Sequence, residues 1–281
     1  ASVGAIPVAA EAGVPMISYA STSPALTGAD DRDHLFRVVP ADDLQARALA
    51  DIVEASGLAS PAVLYMSNDY GVGLADFFEA AWKPRDTCTS ASYDPAQGAY
   101  DAAALAKSVI DAGCDSVIMM SYATDGAWIA EELHRQGFTG QRFGADTVAD
   151  AGFINASTDQ STLDGIIATK PRLAADSEQK TLFESAWNKA GGPAGALYTH
   201  ETYDSVLLIG LALLSGDSNT ASAVAKTGSD FEGASGRHTF DAAGDVIGNG
   251  YDVCSFSYDA PSASFGCSQF WTIAEGLSGT P

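Results

Sequence analysis

Basic residues are scarce. The 281-residue chain has 14 Lys and Arg against 36 Asp and Glu, a formal net charge of −22. A surface that acidic repels phosphate backbones and anionic lipid, which sets nucleic-acid binding and direct membrane insertion aside. Long hydrophobic runs are also missing. The longest candidates, Ser116–Ser121 and Val206–Leu214, fall well short of the ~18 residues that cross a bilayer. Cysteine is sparse, at four residues, and none of the four is spaced Cys-x-x-Cys or set beside histidine in a ligand pattern, so a zinc site is disfavoured. Recognisable catalytic motifs are lacking: there is no G-x-S-x-G, no P-loop and no H-E-x-x-H. His34, His134, His200 and His238 are scattered and read as packing or surface residues. No cofactor and no metal are expected.

What is present is a composition able to fold. Hydrophobic residues make up 46% and charged residues 18%, enough apolar surface to offset the entropy of ordering. Four short apolar runs stand out: Met16–Ser18, Ala62–Met66, Ser116–Met120 and Arg142–Ala145. Continuous runs of that length fit strands buried on both faces. Between them, Asp42–Gly57, Asp101–Gly113 and Asp125–Gly137 each begin on aspartate and end on glycine, helix start and stop signals. Strands alternating with helices imply a parallel sheet with right-handed crossovers. A second helical block covers Ser177–Gly191, His200–Ser215 and Thr220–Gly228, and the tail from His238 reads as hairpin strands joined by turns. Lys170–Arg172 and Gly233–Gly236 are the best places for the chain to pass between lobes.

The four cysteines allow three pairings, or four free thiols. Cys254 and Cys267 flank a loop rich in Ser, Pro and Ala, as a stapled hairpin does, while Cys88 and Cys114 lie at β-like runs that neighbouring parallel strands would bring together. Disulfides Cys88–Cys114 and Cys254–Cys267 are therefore expected, and with them an oxidising compartment.

Ligands of open parallel α/β sheets sit beyond the carboxyl ends of the strands. The segments there are Tyr19–Pro24, Ser67–Gly71, Ser121–Asp125 and Asp146. Ser23 followed by Pro24 reads as the N-cap and first residue of a short helix, so backbone N–H groups and the Thr22 hydroxyl can hold a carboxylate. Asp146 is the matching acceptor for an ammonium group, and Tyr70 and Tyr122 can cover an aliphatic body. Gly71-Val72-Gly73 supplies G-x-G, but Asp76 stands where a third glycine would complete a dinucleotide fingerprint. Asp241, Asp245, Asn249 and Asp252 fit a β-turn cluster better than a calcium loop.

Gly13-Val14-Pro15-Met16-Ile17-Ser18, then Ala20-Ser21-Thr22-Ser23-Pro24-Ala25-Leu26-Thr27, then Asp69-Tyr70-Gly71-Val72-Gly73 together resemble the substrate-binding proteins of branched-chain amino-acid ABC transporters. Phe240-Asp241 with Gly244-Asp245 is similar to that family's late crossing between lobes. The resemblance implies an α/β, two-lobed type I periplasmic binding-protein fold, each lobe a mostly parallel sheet flanked by helices. Lobe 1 is expected from residues 1–40 and 173–235 and lobe 2 from 41–172 and 236–281. In the family further strand and helix units open lobe 1, and they include a serine that grips the carboxylate; this chain is expected to lack that part, with Ser2 near the serine's place but offset. The resemblance assigns the ligand carboxylate to Ala20 and Thr22, ligand contact to Tyr70, the amine to Tyr122 and Asp146, and the side-chain pocket to Tyr198. It implies a non-enzymatic, periplasmic protein that captures an amino acid, aliphatic or similar, between lobes that close on it, and delivers it to a membrane permease. The alternative is a sensing domain of the same fold that binds an amide, urea-like or other small polar solute.

Overall fold

The computed structural model describes residues 2–95 and 100–279. The chain divides into two compact units. The first is made of Ala1–Ala41, Pro171–Ala194 and Tyr198–Gly250, the second of Asp42–Lys170, Gly195–Leu197 and Tyr251–Pro281.

The second unit is built on an eight-stranded sheet. Its strands are β3 (Pro61–Met66), β4 (Thr89–Tyr93), β5 (Ser116–Met120), β6 (Gln141–Gly144), β7 (Ile167–Pro171), β10 (Tyr251–Asp259), β11 (Ser262–Thr272) and β12 (Gly276–Gly279), in the order β12-β11-β10-β7-β6-β5-β3-β4. From β4 through β3, β5 and β6 to β7 every pairing is parallel, whereas β10, β11 and β12 pair antiparallel. Successive side chains of a strand point to opposite faces, and both faces here are covered. Leu64, Met66, Val117 and Met119 pack with Ala106, Val109, Ile129, Leu133 and Phe153, while Val63, Ile118 and Met120 pack with Leu49, Ile52, Val53, Leu74 and Phe78. The first face thus carries α4 (Ala102–Asp111), α5 (Ala123–Arg135) and α6 (Ala151–Ala156), and the second carries α2 (Asp42–Ala55) and α3 (Asp69–Trp82). Two-sided cover is why these strands read as unbroken apolar runs.

The helix boundaries follow their signals. Asp101 Oδ1 caps α4 by accepting from Ala104 N–H at 3.0 Å, and Gly57, Gly113 and Gly137 follow α2, α4 and α5 with φ of +73°, +71° and +81°. Helix α3, which is not among the helices expected from the sequence, is capped by Asn68, whose Oδ1 accepts from Gly71 N–H at 3.0 Å. A Cβ at Gly71 would lie 2.1 Å from the Met66 carbonyl oxygen. That glycine therefore serves close approach of α3 to β3, not a phosphate-binding turn.

The first unit holds α1 (Ser2–Ala12), the parallel pair β1 (Met16–Ser18) and β2 (Leu35–Arg37), the helices α7 (Glu178–Lys189), α8 (Thr199–Leu214) and α9 (Thr220–Thr227), and the antiparallel pair β8 (Ser229–Glu232) and β9 (Arg237–Thr239). Phe36 packs with Ala212, Ala221 and Val224, and Ile6 with Leu26 and Leu35. Two boundaries differ from the sequence reading. Gly233–Gly236 is the turn of the β8–β9 hairpin, with Gly233 N–H donating to the Gly236 carbonyl at 2.8 Å, and not a passage between units. Residues 236–250 lie with the first unit because their turn docks on β2: Arg37 N–H donates to the Gly244 carbonyl at 2.8 Å. The chain leaves that unit after Gly250.

Both expected disulfides are present. Cys88–Cys114 joins the approach to β4 with the approach to β5, and Cys254–Cys267 links facing residues of β10 and β11. Among the described residues no helix is long and apolar enough to cross a membrane.

Candidate functional site

In the second unit three of the residues singled out from sequence come together at the carboxyl ends of β3, β5 and β6. Tyr70, in the first turn of α3, donates its hydroxyl to Asp146 Oδ1 at 2.5 Å. Its ring stacks on that of Tyr122 with centroids 6.0 Å apart and planes 7° from parallel. Asp146 opens a short 3-10 turn, Asp146–Val148, and is only 1% exposed; Tyr122, which precedes α5, is 47% exposed. The site is thus a buried carboxylate oriented by a phenol, beside a half-open aromatic wall.

Electrostatics keep the phenol protonated. Burial pushes the Tyr70 hydroxyl well above the ordinary tyrosine range, and the charges of Asp146 and then Asp42 add to the effect. Tyr70 is therefore a fixed donor to Asp146. Tyr122 is also raised by burial, opposed by its hydrogen bond from Asn68.

Sequence reasoning gave no supporting role to the residues that hold this arrangement. Thr147 donates its hydroxyl to the Ser121 carbonyl and lies 3.5 Å from the Tyr70 hydroxyl. Asn68 Nδ2 donates to Tyr122 Oη at 3.5 Å. Behind Tyr122, Asp125 accepts its backbone N–H at 3.2 Å and also the Tyr93 hydroxyl. Asp125 was legible as a helix-start residue; Thr147 carried no signal, because a threonine one position past an aspartate is commonplace.

The first unit places Ala20 and Thr22 on the loop that follows β1, with Thr22 3% exposed. Ser18 Oγ accepts the N–H groups of Ala20 at 3.4 Å and Ser21 at 2.9 Å. Ser23 caps the following turn as expected, its side chain accepting from Ala25 N–H at 3.4 Å, but that turn is a 3-10 helix of three residues, Pro24–Leu26. So short an element has almost no aligned dipole, and any anion here would be held by individual loop groups instead of a helix end. Ser2, read as offset, bonds the Ser21 hydroxyl through its own at 2.6 Å and so touches this loop. Tyr198 stands immediately before α8 with φ +62°, a left-handed conformation uncommon for an aromatic residue.

A second polar cluster in the first unit combines the residue types of a hydrolytic triad. His238 Nε2 lies 3.0 Å from Ser235 Oγ and 3.1 Å from Asp204 Oδ2, and Ser235 Oγ donates to that same oxygen at 2.6 Å. A triad base uses one ring nitrogen for the nucleophile and the other for the orienting carboxylate. Here serine and aspartate share one nitrogen and bond each other. Asp204 also accepts the backbone N–H groups of Ala234 and Ser235 at 2.6 and 2.8 Å, which makes it the organiser of the β8–β9 turn.

A mostly parallel sheet covered by helices on both faces, with polar groups gathered past its strand ends, is an α/β arrangement that suits ligand binding, and likeness to solved structures makes it the type I periplasmic binding-protein class of fold. The chain matches the family described as the receptor family ligand binding region over residues 1–259, and it belongs to that family. It is 29% identical over 268 residues to the Leu/Ile/Val-binding protein homolog 3 of Brucella melitensis, which covers 91% of this chain and 70% of that protein. Among solved structures it is similar to the leucine-binding protein LivK of Thermotoga maritima, with a TM-score of 0.80 at 24% identity over 95% of this chain and 76% of that one. The branched-chain amino acid transporter substrate-binding protein LivJ of Streptococcus pneumoniae, solved with isoleucine, gives a TM-score of 0.76 at 22% identity, again over 95% and 76% of the two chains.

Proposed function

We propose that the protein is an extracytoplasmic solute-binding protein that captures an aliphatic amino acid for an ABC transporter permease, without catalysing a reaction on it. The observation that carries this reading is Asp146, a buried carboxylate whose orientation is fixed by the Tyr70 hydroxyl. The α-ammonium of an amino acid suits such an oriented carboxylate, because it brings both positive charge and hydrogen-bond donors. In this reading the loop that starts at Ala20 takes the α-carboxylate at its Thr22 end, Ala20 serving through the backbone that Ser18 Oγ anchors, while Tyr70 and Tyr122 flank the aliphatic part and Tyr198 borders the side-chain pocket. The names of the similar proteins, two of them leucine- or Leu/Ile/Val-binding and one solved with isoleucine, support the aliphatic choice. Two disulfides support an oxidising location such as the periplasm. A thermal-shift screen of the full-length protein against the twenty amino acids tests it: a ligand that binds only the folded state raises the melting temperature, by about 2.7 kcal/mol of stability at a hundredfold excess over Kd. Leucine, isoleucine and valine are expected to give the largest shifts. A screen in which none of them moves the transition would refute the reading.

A further inference from the structure

We propose that Arg37, locked by Asp245, is the positioning residue that shapes the 20–23 loop to receive a carboxylate; the proposal rests on the reading of that loop given above. Arg37 is the last residue of β2 and its side chain is 0% exposed, with Asp245 at 13%. Every guanidinium nitrogen is engaged. Nε donates to Asp245 Oδ1 at 2.6 Å, and Nη2 donates to Asp245 Oδ2 at 2.5 Å and to Thr27 Oγ1 at 2.7 Å. Nη1 faces three successive carbonyls, those of Thr22 at 3.1 Å, Ser23 at 3.0 Å and, at the limit of a hydrogen bond, Ser21 at 3.5 Å.

Those three carbonyls set the orientation of the loop. In a trans peptide the C=O and the next N–H point in opposite directions. Drawing the carbonyls of Ser21 and Thr22 onto one cation therefore turns the N–H groups of Thr22 and Ser23 to the other side. The N–H groups of Ala20 and Ser21 are already held by Ser18 Oγ. The loop is thus fixed from behind by two anchors, Ser18 and Arg37, and what it presents is the Thr22 end.

The aspartate is delivered by a turn built for that purpose. Asp241 Oδ1 accepts the N–H groups of Ala243 at 2.8 Å and Asp245 at 3.0 Å. Gly244 has φ +75°, and a Cβ there would lie 2.1 Å from the Leu35 carbonyl oxygen, so the turn seats directly on β2. The acidic tail cluster and the loop after β1, separate features in the sequence, are one device. A lysine at position 37 could keep an ion pair with Asp245, but its three donors on a single nitrogen cannot also span the carboxylate and the row of carbonyls.

The test compares L-leucine with L-leucinamide, which lacks the carboxylate, by calorimetry on the full-length protein, on Arg37→Lys, and on the double variant Arg37→Gln/Asp245→Asn, which leaves no buried charge without its partner. Melting curves without ligand establish that the variants fold, and the double variant decides if Arg37→Lys does not. Wild type is expected to prefer leucine over leucinamide by about 10-fold or more, a difference of roughly 1.4 kcal/mol. In the variants leucine binding should weaken until that preference approaches unity, with leucinamide binding unchanged. A purely structural role would weaken both ligands alike and keep their ratio. A preference that survives in folded variants overturns the role of Arg37 alone, whereas a wild type without preference overturns the carboxylate loop and this proposal together.

Discussion

Asp146→Ala is expected to lower affinity for an aliphatic amino acid by about 2 to 5 kcal/mol, the usual effect of truncating one partner of a buried hydrogen-bonded charge pair. That corresponds to roughly 30-fold to several-thousand-fold in Kd. The size follows from burial: the carboxylate is 1% exposed and already takes the Tyr70 hydroxyl, so water would not readily replace it opposite an ammonium group. Melting curves without ligand separate a loss of stability from a loss of binding. Calorimetric titration of wild type and variant with L-leucine measures the difference. Unchanged affinity would remove Asp146 from the site.

The second large effect concerns covalent structure. Removing Cys88–Cys114, which spans 26 residues, is expected to cost about 3.5 kcal/mol of stability in the chain-entropy model, and removing Cys254–Cys267, which spans 13, about 3 kcal/mol. The first bridge holds the starts of β4 and β5, which flank β3 on its two sides without pairing with each other. The second joins two strands already paired along their length. Urea unfolding of Cys88→Ser/Cys114→Ser and Cys254→Ser/Cys267→Ser reads both numbers, and the order of the two midpoints checks the account. Recovery of four free thiols from unreduced, denatured protein would contradict both bridges.

Much of the second unit was legible because its elements obey local rules. The runs at Ala62–Met66 and Ser116–Met120 are strands covered on both faces, and the Asp-to-Gly segments are helices ended by left-handed glycines. In the first unit, β1 at Met16–Ser18 and the helices α7, α8 and α9 were legible too. Not legible were β2, whose three residues are too few for any periodicity, and α1, which contains Pro7 in a sequence with no clear apolar stripe. The late turn was misplaced for a physical reason: what draws it to the first unit is Arg37, 208 residues away from Asp245 in sequence. A single arginine at the end of a short strand gives no sign of that pairing. Of the candidate site, Tyr70, Tyr122 and Asp146 were legible from their places just past the carboxyl ends of strands, and the structure brings those three together. Thr147 and Asn68, which support them, are visible only through contacts.

One small zwitterion with an apolar side chain is, in this reading, the ligand. The most direct measurement is calorimetric titration of the full-length protein with L-leucine and, in parallel, with L-glutamate. The carboxylates of Asp146 and Asp42, both of which act on Tyr70, make this part of the second unit electronegative, which suits an ammonium and repels an extra carboxylate. Leucine is expected to bind one to one with micromolar or tighter affinity and glutamate to bind at least about 100-fold more weakly. Glutamate binding more tightly than leucine, or no heat from leucine at millimolar concentration, would contradict it.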